Sequence, residues 1–360
     1  MNPRDEDLIG WAAEAVRHAW KGTRIERHEA LRGDLSTRRF WRVFLEGPRA
    51  PRSAILVDLG PDDLPGYVRA LKLVTQPPEE PPWLCVHRFL SGLHLPVPAL
   101  HGVSLPLRAM LVEDVGETSL IDFARAHSEQ TPDLVRTAVE LALRLHTEGT
   151  ARLPNGLLPA RISYDERLFR WELKEFVDLG CAALGMRGDA PELGAELDLL
   201  ARRLGSLPRV FSHRDFHGQN LFVQRDGAES SLRLIDFQDA LMAPNAQDLA
   251  VLLTTRDMAD LVSPDLERRL LEFYYAGLLR RRAASMSPEH FFESYELCVL
   301  QHALKMIGRF MMFERNGKTA YGAFVPYAIA QARRILSGPR AADFPALAAG
   351  LRADSPEDCR

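Results

Sequence analysis

Apolar residues recur with a helical period near the start of the chain. Leu8, Ile9, Ala12, Ala13, Val16, Ala19 and Trp20 share a face and predict a helix over residues 8–20. After a short polar stretch the pattern changes to compact β-like runs. One covers 39–45, with Phe40, Trp41, Val43 and Phe44, and another covers 53–58, with Ile55, Leu56 and Val57. A helix is expected over 64–74, and the proline-rich stretch 76–82 reads as a connector. A strand pair is expected at 97–103 and 109–113. Beyond Gly116 the apolar spacing is helical over 119–127, 131–146, 166–179 and 192–204. Residues 209–240 break this run with three short β-like segments, 209–212, 221–224 and 232–235, set between polar loops. Helices resume from 248 to about 336, and the Ala- and Pro-rich tail from Gly338 reads as partly loose. The chain has no internal repeat. The pattern describes an α+β protein of two lobes: a small strand-rich lobe over 1–113, a hinge at 114–118, a larger helical lobe over 119–340 with a hairpin set into it, and a tail over 341–360.

Composition narrows the function classes. The chain has 360 residues, 46% hydrophobic and 26% charged, with a formal net charge of -4, and a pI of 6.3. A general nucleic-acid binder is usually strongly basic, so none is expected. Cys85, Cys181, Cys298 and Cys359 are widely separated, with no C-x-x-C pair, which fits reduced thiols of a cytoplasmic protein. No apolar run approaches the roughly 20 residues of a membrane span, and the acidic, polar first residues do not read as a secretory signal. No obligate protein partner is implied.

The chemistry is concentrated in two stretches. The first runs Val210-Phe211-Ser212-His213-Arg214-Asp215-Phe216-His217-Gly218-Gln219-Asn220-Leu221-Phe222-Val223, and the second Leu232-Arg233-Leu234-Ile235-Asp236-Phe237-Gln238-Asp239. Phosphoryl transfer needs a carboxylate to orient the attacking hydroxyl and take its proton, with hard oxygen ligands to hold Mg²⁺ on the phosphates. Asp215 suits the first task, and Asn220 and Asp236 suit the second. Any one of them alone would be an ordinary turn residue. The joint pattern H-x-D-x-x-x-x-N followed by I-D-F at hairpin distance is far harder to reach by chance.

These stretches resemble the catalytic loop and metal-binding segment of the aminoglycoside phosphotransferase family, relatives of protein kinases. The resemblance implies their bilobal fold and an ATP- and Mg²⁺-dependent kinase for a small hydroxylated molecule. It also implies that Asp248, in Asp248-Leu249-Ala250, braces the catalytic loop from a helix start. A narrower resemblance, to the bacterial anomeric N-acetylmuramate/N-acetylglucosamine kinases, is carried by three further segments. They are Ser36-Thr37-Arg38-Arg39-Phe40-Trp41-Arg42, Asp236-Phe237-Gln238-Asp239-Ala240, and Leu300 to Phe310 with Arg315-Asn316-Gly317-Lys318 and Tyr321. It implies phosphorylation of a sugar at its C1 hydroxyl in cell-wall recycling.

On the nucleotide side, the loop Gly33-Asp34-Leu35-Ser36-Thr37-Arg38-Arg39 stands where kinases cover phosphates, though with one glycine. Its Ser36 and Thr37 hydroxyls are candidate phosphate contacts. The strand Ala54-Ile55-Leu56-Val57-Asp58 carries no lysine of the kind kinases use to pair phosphates. Arg39 and Arg42 are candidate substitutes, and equally ordinary surface cations. Main-chain groups from Glu113 to Val115 are the hinge candidates for adenine. On the acceptor side, His302, Lys305 and Arg309 lie at i, i+3, i+7 on one helix face. They read either as a solvated cationic stripe or as a pocket wall for an anionic substrate. Asp239 and Glu172 are candidate acceptors of sugar hydroxyls. Two other readings compete: a kinase for a cationic antibiotic, choline or homoserine, which the basic stripe disfavours, and a non-catalytic nucleotide-binding relative.

Overall fold

A computed structural model describes residues 3–31, 38–60, 64–75, 78, 80–226, 229–256 and 258–352. The first lobe is built on a five-stranded antiparallel sheet ordered β1-β2-β3-β5-β4. Helix α1 (Pro3–Ala19) precedes β1 (Arg24–Leu31), β2 (Arg39–Glu46) and β3 (Ser53–Asp58). Helices α2 (Gly66–Ala70) and α3 (Pro82–Gly92) then lead to β4 (Leu100–Ser104) and β5 (Ala109–Glu113). Strands β3 and β5 are covered on both faces, which is why they read as nearly continuous apolar runs. Ala54, Leu56, Ala109 and Leu111 face α1 and close a small core with Leu8, Ala12 and Val16. Val57, Met110 and Val112 face the other way and join the main core that continues into the helical lobe.

The sequence pattern missed two elements here. β1 is an edge strand whose side chains are mostly exposed, so it carries charge rather than apolar alternation. In α3 the prolines that read as a breaker form the start: Pro82 occupies the first turn, where its missing N–H costs nothing. The helix expected over 64–74 contracts to Gly66–Ala70 and is followed by Lys72 in a left-handed conformation (φ 51°).

The second lobe begins with α4 (Leu120–Ala126), α5 (Thr131–Arg144), α6 (Glu166–Glu175) and α7 (Pro191–Gly205). The catalytic segment follows as β6 (Arg209–Ser212), β7 (Leu221–Asp226), β8 (Glu229–Leu234) and β9 (Leu241–Pro244). It is closed by α8 (Ala246–Thr254), α9 (Pro264–Arg280), α10 (Pro288–Arg315), α11 (Val325–Leu336) and α12 (Pro345–Arg352). β7 and β8 form a hairpin, and β6 pairs with β9, a strand the apolar pattern did not reveal. The segment from Gly338, expected to be loose, is built in as far as Arg352. Leu347 and Leu351 are buried, and the Glu196 carboxylate accepts the backbone N–H groups of Ala346 (2.6 Å) and Leu347 (2.8 Å) at the start of α12.

α10 is the longest helix among the described residues, and its depth in the lobe is set by Gly308. A Cβ placed there would fall within 2.5 Å of the Glu175 carbonyl oxygen and of the Phe176 nitrogen. The two backbones touch, so neither can yield as a flexible side chain would. Gly-to-Ala in a helix normally stabilises by about 0.5–1 kcal/mol, but overpacking costs about 1–3 kcal/mol. Gly308→Ala is therefore expected to lower the thermal unfolding midpoint. Gly194→Ala, on the exposed side of α7 with nothing within 4 Å, is expected to raise it. Calorimetry of both variants checks the contrast, and equal shifts would refute the close approach.

Candidate active site

The hairpin explains how residues far apart in sequence meet. Its register pairs Leu221 with Leu234, so Asn220 and Ile235 flank its base, where the Ile235 N–H donates to the Asn220 carbonyl at 3.0 Å. Asp236 is the next residue, in a left-handed conformation (φ 63°). The His213 ring Nε2 lies 2.9 Å from the Ile235 carbonyl and ties the catalytic loop to the same corner.

The loop itself is organised from below by Asp248, in the first turn of α8 and fully buried. Its carboxylate accepts the Ser212 hydroxyl (2.8 Å) and the backbone N–H groups of His213 (2.7 Å) and Arg214 (2.9 Å). His146 Nε2 donates from the other side at 3.0 Å. Burial alone would raise the pKa of Asp248; the hydrogen bond and charge of His146, with His213, hold it below the ordinary carboxylate value. Arg214 adopts a left-handed backbone (φ 76°), a conformation uncommon outside glycine. Asp215 comes next and lines a cavity of about 660 Å³, within the range of about 300–1,000 Å³ typical of ligand pockets. Burial pushes the Asp215 carboxyl up, but the charges of Arg214 and Lys305 outweigh it and keep the group below its ordinary value. It is therefore ionised and able to accept a proton.

Asn220, Asp236 and Asp239 line the same cavity. The Asn220 amide donates to the Asp215 carbonyl at 2.9 Å, which leaves its Oδ1 without a hydrogen bond from the described residues. Asp236 accepts from Arg38 (2.8 Å) and Gln238 (2.9 Å) on Oδ1, and its Oδ2 has no described partner. These two oxygens are hard donors, and two protein oxygens completed by phosphate and water suit Mg²⁺. The Asp239 carboxyl is pushed up to about 6 by burial, Arg214 opposing and Asp215 and Asp236 reinforcing the shift.

His302, Lys305 and Arg309 also reach the cavity wall, but their charges are already answered. Lys305 Nζ lies 3.0 Å from Glu172 and Arg309 Nε 2.5 Å from Glu175. Burial, reinforced by the Lys305 charge, pushes His302 down to about 3, so it is neutral. Its Nε2 lies 2.6 Å from the Thr255 hydroxyl. Glu172 does not line the cavity. It sits beneath it, fully buried, bonded to Arg214 (2.8 Å), Lys305, Tyr164 and Gln301 (3.3 Å). The sugar-contact expectation for Glu172 is corrected accordingly: a carboxylate so enclosed positions cations and does not meet substrate.

The nucleotide side also differs from expectation. Arg39 points to the α1 side of the sheet, where it donates to Asp5 (2.6 Å) and Asp58 (2.7 Å), and Arg4 shares Asp58. Arg42 clasps Asp114 (2.6 Å) and Glu117 beside the hinge. Neither lines the cavity, so neither replaces the missing strand lysine. The residue that faces Asp236 is their neighbour Arg38. Its side chain belongs to no strand, so the pleat gave no hint of it. Glu113 ties the hinge to the hairpin through Arg233 (3.3 Å) and Gln224 (3.2 Å), and its N–H is taken by the Ala99 carbonyl. Val115 keeps its main-chain N–H and C=O free of hydrogen bonds among the described residues. Ser36 and Thr37 lie outside the described residues. Arg69 and Arg256 line the cavity as well, and no spacing in the sequence singled them out.

A small sheet lobe, a helical lobe, and between them an aspartate loop facing an amide and a second aspartate define a phosphotransferase of the kinase-like class. Residues 27–284 match the model of the phosphotransferase enzyme family (APH), and the chain belongs to that family. It is an ATP-dependent phosphotransferase with a hydroxyl group as acceptor. The chain is 29% identical over 269 residues to an N-acetylmuramate/N-acetylglucosamine kinase of Pseudomonas aeruginosa, covering 72% of this chain and 75% of that one. It is 26% identical over 338 residues to the kinase of the same name from Caulobacter vibrioides, covering 88% and 89%. Among solved structures, a choline/ethanolamine kinase family protein from Mesorhizobium loti superposes with a TM-score of 0.57 at 14% identity, covering 97% of this chain and 99% of that one. An ADP-bound aminoglycoside phosphotransferase gives 0.55 at 12% identity, covering 92% and 99%. These structures establish the shared bilobal kinase-like fold. No helix among the described residues is long and apolar enough to cross a membrane.

The position of Arg38 generates a kinetic expectation. Charge-assisted hydrogen bonds contribute about 1.5–3 kcal/mol, less where the site is partly open. Arg38→Ala is therefore expected to raise the KM for ATP about tenfold and to leave the acceptor KM nearly unchanged. Steady-state kinetics with each substrate varied in turn checks it. Unchanged ATP kinetics would reduce Arg38 to a counterion of Asp236.

Proposed function

We propose that the chain is a cytoplasmic sugar kinase that transfers the γ-phosphate of ATP to the anomeric C1 hydroxyl of N-acetylmuramate and N-acetylglucosamine, in cell-wall recycling. The observation that carries this reading is the placement of the ionised Asp215 in a cavity whose other walls are rich in cations. Arg38, Arg69, Arg214, Arg256, Lys305 and Arg309 line it against Asp215, Asp236 and Asp239, and with Glu172 and Glu175, which pair with Lys305 and Arg309 from behind, the cations still outnumber the acids by one. Such a field favours anionic ligands, which suits both a nucleoside triphosphate and a sugar acid. It disfavours the cationic acceptors of aminoglycoside or choline kinases. The names of the relatives support the same substrate class.

In this reading Asp215 accepts a hydrogen bond from the acceptor hydroxyl and takes its proton as the phosphoryl group transfers. The anomeric hydroxyl is more acidic than other sugar hydroxyls, so one carboxylate is an adequate base. Asn220 Oδ1 and Asp236 would hold Mg²⁺, which would neutralise phosphate charge when bound. Arg38 brings a further positive charge to the same corner. Free main-chain groups at Val115 serve the adenine. In the same reading Asp239 accepts a sugar hydroxyl, which is supported by its place on the cavity wall beside Arg214, itself held by Glu172.

A panel of N-acetylmuramate, N-acetylglucosamine, choline and an aminoglycoside, followed by ³¹P NMR, tests the reading. The expected product is an anomeric phosphate of the two amino sugars. Asp215→Asn is expected to bind nucleotide nearly as the parent does while turnover falls by about 10²-fold or more. Phosphorylation only of choline or the aminoglycoside would overturn the substrate, and near-normal turnover in a folded Asp215→Asn protein would overturn the base.

A further inference from the structure

The charged stripe of α10 leaves a physical gap. A carboxylate on the acceptor sugar needs a cation not already answered by a protein acid, and Lys305 and Arg309 are paired with Glu172 and Glu175 while His302 is neutral. Arg256 is different. It lines the cavity immediately after α8. Among the described residues no carboxylate pairs with it, and its Nε is buried without a hydrogen-bond partner. The guanidinium instead lies over the rings of Phe324 and Tyr321, 5.2 and 5.5 Å from their centroids. Stacking of this kind holds a guanidinium in place while leaving its N–H fork able to donate.

Its backbone is also specialised. Arg256 is left-handed (φ 52°), a conformation that costs a non-glycine residue free energy and persists where the surroundings enforce it. The helix that ends two residues before Arg256 carries in its first turn Asp248, the carboxylate that braces the catalytic loop, and Arg256 and Asp215 line the same cavity.

We propose that Arg256 binds the carboxylate of an acidic acceptor sugar, and so is the residue that makes N-acetylmuramate a better substrate than the neutral N-acetylglucosamine. This rests on the amino-sugar kinase reading above. A planar fork meets a carboxylate through two parallel hydrogen bonds, which requires a cation free of other acids. Among the described residues Arg256 meets that condition where the α10 stripe does not. The neutral sugar has no group for it, so its recognition falls to Asp215, Asp239 and the remaining walls.

The test is the ratio of kcat/KM for the two sugars in the parent, Arg256→Ala, Arg256→Gln and Arg256→Lys, with folding checked by thermal unfolding. The expected result is a loss of about 10- to 100-fold on N-acetylmuramate, at least tenfold greater than the loss on N-acetylglucosamine. Lysine should recover part of it, as a point charge without the fork. Equal losses on both sugars in any folded variant, or an unchanged ratio, would overturn the assignment. Failure of the underlying reading shows differently: the parent enzyme would then phosphorylate neither sugar.

Discussion

The catalytic loop depends on one buried carboxylate. Asp248 gathers a hydroxyl, two consecutive backbone N–H groups and a histidine around a single charge. Each of these donors would be costly to bury without an acceptor. The carboxylate would be still more costly to bury without donors. The solution is mutual, and its geometric consequence is that the backbone leaves β6 in a fixed direction, turns at the left-handed Arg214 and presents Asp215 to the cavity. Catalysis by positioning requires that the base already be in place when the reactants arrive. Here the protein interior places it, before nucleotide or metal contributes anything.

A second buried carboxylate extends the same logic across the floor of the cavity. Glu172 holds Arg214 and Lys305 together and is itself enclosed by Tyr164 and Gln301. One negative charge between two cations leaves a positive balance beneath the site. Arg214 reaches out of this cluster toward Asp239 (3.4 Å) and stacks over Tyr67 of α2 at 4.0 Å from the ring centroid. The floor of the helical lobe and a short helix of the sheet lobe thus meet on one guanidinium. The ring pair Trp83 and Phe237, 5.1 Å between centroids, adds an apolar contact between α3 and the residue after Asp236. Both lobes therefore bear on the part of the cavity that Asp215 and Asp236 line.

What the sequence disclosed follows from how local each signal is. The Asp215, Asn220 and Asp236 spacing was legible because one hairpin brings them together, and hairpins are written in short-range pattern. β3 and β5 were legible because both of their faces are buried. β1 was not, because an exposed edge strand has no apolar alternation to show, and α3 was hidden by the prolines that begin it. Cation partners were the least legible feature. Arg38, Arg39 and Arg42 look alike in sequence, and only tertiary packing sends Arg39 to Asp58, Arg42 to Asp114 and Arg38 to Asp236. Glu172 looked like a pocket acid because its partner Lys305 is more than a hundred residues away. The stripe of His302, Lys305 and Arg309 was recognised as a face, but its neutralisation by Glu172 and Glu175 was invisible to any periodicity.

The central claim is that the catalytic loop is organised by Asp248 in the absence of ligand. Native-state hydrogen exchange of the nucleotide-free enzyme, read at the amides of His213 and Arg214, tests it most directly. The account predicts that both amides exchange only through large-scale opening, as slowly as core helix amides. In Asp248→Ala, destabilised by about 3–5 kcal/mol through loss of a buried charge partner, it predicts that they exchange by local opening, far faster than the rest of the core. Fast exchange of both amides in the parent enzyme, slowed only when nucleotide is added, would contradict the claim and assign the ordering of the loop to the ligand.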